Sequence, residues 1–331
     1  MKNVLIIFNP KAGRNRSRQT LEYIIRAFRN YNFNITEKTT TCVGDATEIV
    51  KNNYKDKDLI VCCGGDGTFN ETVNGVIAVN TQTPIMYYPM GSTNDLAHTI
   101  GVSDDINEQI ELYLNNRIVS YDVGKLNDYH FTYIAGFGVG TDISFSTSQK
   151  MKNKLGHFAY LLNGFFLKLP DQIKKIKPHH MEIEYDGKKI EDDFYFGVIL
   201  NTNEFAGIFK LDKQKIKLND GLYDVLLVKE VNGFIDALRL LHKIRMQNYD
   251  NDRMIRLSVS ELKIRGKEFL PWTLDGEYGG KHKDVDFKVL HSKVYLVANE
   301  TDFFIKEQPE YKIEENVFDE EIKQSSKRCK R

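Results

Sequence analysis

The alternation of apolar and polar positions changes character once along the chain, near residue 120. Ahead of that point, short unbroken apolar runs alternate with segments whose apolar residues recur every three or four positions. Val4–Phe8 is one such run and stops at Asn9-Pro10, as a strand buried on both faces would. Ser17–Asn30 follows with Leu21, Ile24, Ile25 and Phe28 at helical spacing, and Asn34–Thr41 is threonine-rich and extended. Gly44-Asp45-Ala46 opens a helix reaching Asn53. Leu59–Cys63 then predicts a second buried strand, Phe69–Val79 a helix and Pro84–Tyr88 a third buried strand. Repeated β-α-β units predict an α/β region with a doubly wound parallel sheet and right-handed crossovers.

After Ser120 the texture is that of an antiparallel β domain. Tyr121–Leu126, Phe131–Phe137, Met181–Tyr185, Phe194–Asn201, Tyr223–Val228, Arg256–Ile264 and Val285–Leu290 read as strands. Turn signals such as Asn127-Asp128, Asp186-Gly187 and Asn219-Asp220-Gly221 separate them. Helical segments fall near Lys154–Lys168 and Gly233–Tyr249, and Lys293–Ala298 is one more strand-like run before the charged stretch Glu314–Arg331. The expected architecture is an α/β nucleotide-binding domain over residues 1–125 and an antiparallel β-sandwich over 126–298.

Composition mainly excludes. A length of 331 residues fits one large or two medium domains. With 46 basic and 46 acidic residues the bulk charge gives no case for a nucleic-acid partner. Cys42, Cys62, Cys63 and Cys329 show no C-x-x-C spacing, which suits a reducing compartment. The short apolar run at the N-terminus lacks the features of a signal peptide, and no apolar stretch reaches the roughly 18 residues of a spanning helix. A cytoplasmic protein touching membrane only at its surface is expected.

Candidate chemistry concentrates in the loops that follow the buried strands. Gly64-Gly65-Asp66-Gly67-Thr68 comes directly after Leu59–Cys63 and before an amphipathic helix. Glycines there let backbone N–H groups approach an anion, and the helix N-terminus adds partial positive charge, so the loop can cradle phosphate. It matches neither G-x-x-x-x-G-K-[ST] nor G-x-G-x-x-G. An aspartate inside such a cradle suits a nucleotide that carries Mg²⁺. Asn9-Pro10-Lys11-Ala12-Gly13 and Met90-Gly91-Ser92-Thr93-Asn94-Asp95 follow the other two buried strands. Ligands of open α/β sheets bind outside the strands' carboxyl ends, so three such loops together predict a nucleotide crevice. Taken alone, Asp275-Gly276 before Glu277 reads first as an ordinary hairpin turn.

These motifs resemble the diacylglycerol kinase catalytic domain family, and within it the soluble bacterial lipid kinases. The resemblance extends in order through Asn70-Glu71, Asp122-Val123-Gly124, Gly136-Phe137-Gly138, Asn219-Asp220-Gly221-Leu222 and Asp275-Gly276-Glu277. It implies an N-terminal domain like those of NAD kinase and phosphofructokinase, a C-terminal sandwich with the nucleotide in the cleft between them, and a chain end (299–331) returning to the first domain. ATP would be held by Asn9, Pro10, Lys11, Ala12, Gly13, Thr40, Gly64, Gly65, Asp66, Gly67, Thr68, Phe69, Asn70 and Ser92, with Thr41 an alternative to Thr40. Glu277 falls at the family's general base, a role the chemistry needs because a lipid hydroxyl is a poor nucleophile. Asp66 would organise the metal–nucleotide.

Asp220 matches a structural Mg²⁺ ligand, completed by the carbonyls of Lys217 and Leu222, with Asp95 and Asp122 linking that ion to the nucleotide through water. Two departures stand out. Phe209–Ile216 replaces a stretch that usually holds proline and alanine in a glycine-rich context, and Ser92 stands where threonine is common. Leu155–Pro170, bracketed by lysines, reads equally as a membrane-contacting lip or a core helix. The basic end Lys327–Arg331 reads as a solubilising tail, and His179-His180 as surface residues.

The expected reaction is γ-phosphoryl transfer from ATP to a lipid hydroxyl at the bilayer surface, with diacylglycerol the leading acceptor. Phosphatidylglycerol, sphingoid bases and polyprenols remain alternative acceptors. An NAD kinase-like enzyme is the first rival and a non-enzymatic lipid- or nucleotide-responsive regulator the second. A homodimer is compatible with the sequence.

Overall fold

The computed structural model describes residues 1–13, 18–91, 94–138, 177–202, 204–205, 209–210, 217–230, 234–299 and 303–305. Ser92, the Lys154–Lys168 and Leu155–Pro170 segments, most of Phe209–Ile216 and the tail from 306 lie outside the described residues, as does Cys329.

The N-terminal region runs β1 (Asn3–Phe8), α1 (Arg18–Asn30), β2 (Asn34–Thr39), α2 (Asp45–Asn53), β3 (Leu59–Gly64), α3 (Asp66–Val79), β4 (Ile85–Pro89), α4 (Asp95–Ile100) and α5 (Ile106–Leu114). β1 pairs in parallel with both β2 and β3, and β3 in parallel with β4. β1, β3 and β4 are buried on both faces, whereas β2 is a largely exposed edge strand; alternate side chains of the buried strands serve different helices. Leu5, Ile7, Ile60 and Cys62 pack with Ala46, Val50, Phe69 and Val73 of α2 and α3. Val4, Ile6, Val61 and Cys63 pack with Leu21, Ile24, Phe28, Ile106 and Ile110 of α1 and α5. Helices therefore cover both faces, as the apolar runs predict.

The C-terminal region is β-rich: β5 (Ile118–Leu126), β6 (Tyr129–Phe131), β7 (Ile134–Gly138), β8 (His179–Tyr185), β9 (Lys188–Leu200), β10 (Glu204–Phe205), β11 (Phe209–Lys210), β12 (Tyr223–Lys229), α6 (Phe234–Arg245), β13 (Met254–Val259), β14 (Glu261–Leu274) and β15 (Glu277–Val297). Its pairings with one another are antiparallel. A second core gathers Phe131, Phe137, Phe194, Tyr223, Trp272 and Phe287, with Trp272 and Phe137 rings 5.0 Å apart. Among the described residues the strands of the two regions pair at one point, where Leu296 of β15 lies parallel to Ile85 of β4. Among the described residues no helix is long and apolar enough to cross a membrane.

Among the boundaries that differ from the sequence expectation, four have a clear local cause. Helix α3 begins at Asp66 rather than Phe69, because Gly65 takes an extended N-cap conformation and Asp66 sits in the first turn, where the helix dipole favours a carboxylate. The run Phe131–Phe137 breaks at Thr132-Tyr133, whose N–H groups donate to the Asp275 carboxylate rather than to a strand. Arg256–Ile264 divides at Ser260, whose carbonyl accepts from Val289 N–H. Val285–Leu290 and Lys293–Ala298 fuse into β15 through an irregularity at His291-Ser292, where both residues turn to Asp122. Helices α4 and α5 are additional to the elements that the sequence predicts; Asp105 caps α5 by accepting from Asn107 N–H.

Trp272→Ala removes the largest fully buried side chain of the second core. Urea unfolding is expected to show a loss of roughly 3–5 kcal/mol, and a loss under 1 kcal/mol would contradict this packing.

Candidate active site

The three glycine-containing loops meet. Asn9 N–H donates to the Cys63 carbonyl, continuing the β1–β3 ladder, and its side-chain Nδ2 donates to Thr68 Oγ1 at 2.8 Å. Met90 N–H donates to the Gly64 carbonyl at 2.6 Å. Two glycines permit backbone-to-backbone contact between loops. A methyl group on Gly65 would lie 3.1 Å from Gly91 Cα, and Gly13, at φ +71°, faces the Met90 carbonyl. Asn94 closes the third loop by accepting from Gly91 N–H and donating to the Gly91 carbonyl.

Beside these loops lies a cavity of about 650 Å³. Asn9, Lys11, Ala12, Thr40, Gly65, Gly67, Thr68, Asn70 and Glu277 all line it, so nine of the residues singled out in the sequence share one space. Thr41 lines it as well as Thr40. Gly67 opens onto free space, and backbone N–H groups at this helix start face a volume suited to an anion.

Not every candidate points there. The Phe69 ring is fully buried against Tyr87, with centroids 4.7 Å apart, so its side chain belongs to the core rather than to the ligand wall. Asp66 and Gly64 are not among the lining residues, and Asp66 Oδ1 accepts from the Tyr87 hydroxyl at 3.3 Å. Pro10 and Gly13 also stand outside the lining. The side chain of Asp95 is outside the described residues.

Three further side chains fix the wall of the cavity. Glu71 accepts from Gly44 N–H at 2.8 Å and Ala46 N–H at 3.2 Å, so it caps α2 and fixes the Thr41–Val43 wall. Asp45 accepts from the Thr41 and Cys42 backbone N–H groups and the Thr41 hydroxyl, which holds its carboxyl well below the usual range. Lys11 Nζ donates to the Thr41 carbonyl and closes the wall from the other side.

Glu277 follows Asp275-Gly276, a turn with φ values of 48° and 84°. It is exposed at the tip of the β14–β15 hairpin, whereas Asp275 is 7% exposed. Asp275 accepts five hydrogen bonds: from Thr132 N–H and hydroxyl, Tyr133 N–H, Ile134 N–H and Asn70 Nδ2, at 2.6 to 3.1 Å. Burial pushes its carboxyl upward and these donors work against that rise. The turn at Asp275 is thus more than a hairpin reversal, because it ties the tip to helix α3.

The turn bearing Asp220 is fixed separately. Asp122, with no exposure, accepts from Gly221 N–H, Ser292 N–H and His291 Nδ1. Asn219 accepts from Ile305 N–H, and Asp220 accepts from Leu222 N–H. Burial raises the carboxyls of both Asp122 and Asp220, and the neighbouring Asp122 charge raises Asp220 further. Crowded, desolvated carboxylates of this kind suit a hard cation. Among the described residues no three His, Cys, Asp or Glu side chains cluster as metal ligands, so a cation here would rely on backbone oxygen and water. His179 and His180 pair with Glu268 and with Asp193 and Glu191, partly exposed.

Comparison with known proteins gives a consistent result. The profile of the diacylglycerol kinase catalytic domain matches residues 3–126. A diacylglycerol kinase of Bacillus subtilis (strain 168) is 32% identical over 284 residues, spanning 85% of this chain and 91% of its own. One from Staphylococcus carnosus is 29% identical over 285 residues, spanning 85% and 90%. The crystal structure of a provisionally named diacylglycerol kinase from Bacillus anthracis (Sterne) superposes with a TM-score of 0.74 at 25% identity, over 90% of this chain and 97% of that one.

Asp275→Ala strands five donors in a buried place, and Asp275→Asn turns an amide N–H toward some of them. Both variants are expected to lose about 3 kcal/mol or more in urea unfolding. Wild-type stability in either would overturn the reading of Asp275 as a tie.

Proposed function

The chain belongs to the diacylglycerol kinase family, and from that premise we propose that it transfers the γ-phosphoryl of ATP to the free hydroxyl of diacylglycerol, giving phosphatidic acid and ADP. The observation that carries the reading is that Glu277 and the glycine loops after β1 and β3 border one cavity.

In this reading the triphosphate rests on the backbone N–H groups of Gly65 to Thr68, at the N-terminus of α3, where the dipole and unpaired donors offset its charge. Asn9, Lys11, Ala12 and Thr40 border the nucleotide, and Gly13 and Ser92 are assigned to it as well. Glu277 accepts the proton of the diacylglycerol hydroxyl as its oxygen attacks the γ-phosphorus and the bond to ADP breaks. The exposed position of Glu277 at a hairpin tip supports this role, because the acceptor hydroxyl arrives from outside the protein.

Magnesium bound with the nucleotide would neutralise phosphate charge, with Asp66 organising it. A second, structural ion would be held by Asp220 and the carbonyls of Lys217 and Leu222, with Asp95 and Asp122 supporting it through water. The turn at Asp220, held through Gly221 N–H by the buried Asp122 carboxylate, supports that assignment. The same proposal includes a division into residues 1–125 and 126–298, an NAD kinase-like first domain, a sandwich for the second, and return of 299–331 to the first. It also places the protein in the cytoplasm, in transient contact with the inner leaflet.

Glu277→Gln keeps shape and removes the base. With diacylglycerol in mixed micelles, kcat is expected to fall on the order of 10²- to 10⁴-fold while ATP affinity is retained. Near-normal kcat in this variant would refute the base assignment.

A further inference from the structure

Asn70 borders the cavity, yet its side chain is already occupied. Its Nδ2 donates to Asp275 Oδ2 at 2.7 Å and to the His130 carbonyl at 3.3 Å, which uses both amide protons. Its Oδ1 accepts from Asn74 Nδ2 at 2.9 Å, one helical turn further along α3, and the same Nδ2 donates to the Asn70 carbonyl. Asn74 Oδ1 in turn lies 2.9 Å from His130 Nδ1 on β6.

The direction of every bond in this chain follows from its two ends. Asp275 and the His130 carbonyl can only accept, so the NH₂ group of Asn70 must face them and its Oδ1 must face Asn74. The Asn70 carbonyl can only accept, so Asn74 turns its NH₂ toward Asn70 and its Oδ1 toward His130. His130 must therefore carry its proton on Nδ1. Burial, followed by the charges of Lys125 and Lys293, lowers the His130 pKa, so the ring is neutral near pH 7 with that single proton. Neither Asn74 nor His130 borders the cavity.

We infer that Asn74 and His130 are positioning residues that lock the Asn70 amide as a tie between helix α3 and Asp275, and so hold Glu277 in register with the nucleotide loop. The inference rests on the kinase reading for its effect on turnover. In it, Asn70 serves the reaction through Asp275 and not by donating to the nucleotide, since it has no proton to spare. A disordered tie would leave both halves of the cavity folded but displaced from each other, and a displacement near 1 Å between reacting groups can cost on the order of 10²-fold in rate.

The test uses the full-length chain with His130→Phe, which removes the donor and keeps the ring, His130→Asn, which keeps a donor at the Nδ1 position, and Asn74→Leu. The measurements are kcat on diacylglycerol, equilibrium ATP affinity and the thermal midpoint. His130→Phe and Asn74→Leu are expected to lower kcat on the order of tenfold, with ATP Kd within about twofold of wild type. His130→Asn recovers most of the kcat. Unchanged kcat in His130→Phe overturns the inference, and so does an ATP Kd that rises in step with the loss of kcat, which would make Asn70 a nucleotide ligand.

A second readout needs no activity. Nitrogen NMR of the His130 ring in the wild-type chain is expected to show the Nδ1-protonated tautomer, and the Nε2-protonated form overturns the tie. If the wild-type chain transfers nothing to diacylglycerol, the kinase reading falls, while the tautomer still decides whether the tie exists.

Discussion

A buried carboxylate with five donors around it is the constraint on which the active cavity depends. Asp275 cannot be desolvated alone, because an unpaired buried charge would cost several kcal/mol. Its presence obliges the β6–β7 junction to leave the sheet and turn its N–H groups inward, and obliges Asn70 to reach across from α3. The hairpin tip carrying Glu277 is consequently anchored two residues from the exposed end. A side chain meant to accept a proton from an incoming molecule can then be solvent-facing without being loosely held.

The opposite wall follows a different rule. Here backbone approaches backbone, and side chains would obstruct. Gly13 faces the Met90 carbonyl and Gly65 lies against Gly91, so the loops after β1, β3 and β4 pack without Cβ atoms between them. Parallel strands place their carboxyl ends side by side, and glycine lets the loops beyond those ends stay adjacent. Glu71 and Asp45 fix the remaining rim through N–H groups at the start of α2. The cavity is thus framed by hydrogen bonds to main chain, which turn over little with side-chain fluctuation.

How much of this could be read beforehand depends on the range of the interaction concerned. The parallel strands and α1 to α3 follow from local periodicity, because each buried run needs only its own neighbours to be recognised. Gly64 to Thr68 is legible for the same reason, as a glycine-rich turn between a buried strand and a helix. The function of Asp275 is not legible from spacing, since its donors lie 141 to 205 positions earlier in the chain. The break at Thr132-Tyr133 is hidden with it, because an apolar run looks continuous until its N–H groups have somewhere else to go. Phe69 shows the converse case: motif membership suggested a ligand wall, and helical phase turned its ring into the core.

Strand β15 is the last of the described strands yet completes the first sheet. Leu296 pairs with Ile85, and Phe304, further on, is buried in the same core as β4. During synthesis the open side of β4 therefore waits for more than 200 later residues, during which an apolar, hydrogen-bond-hungry border is exposed to other nascent chains.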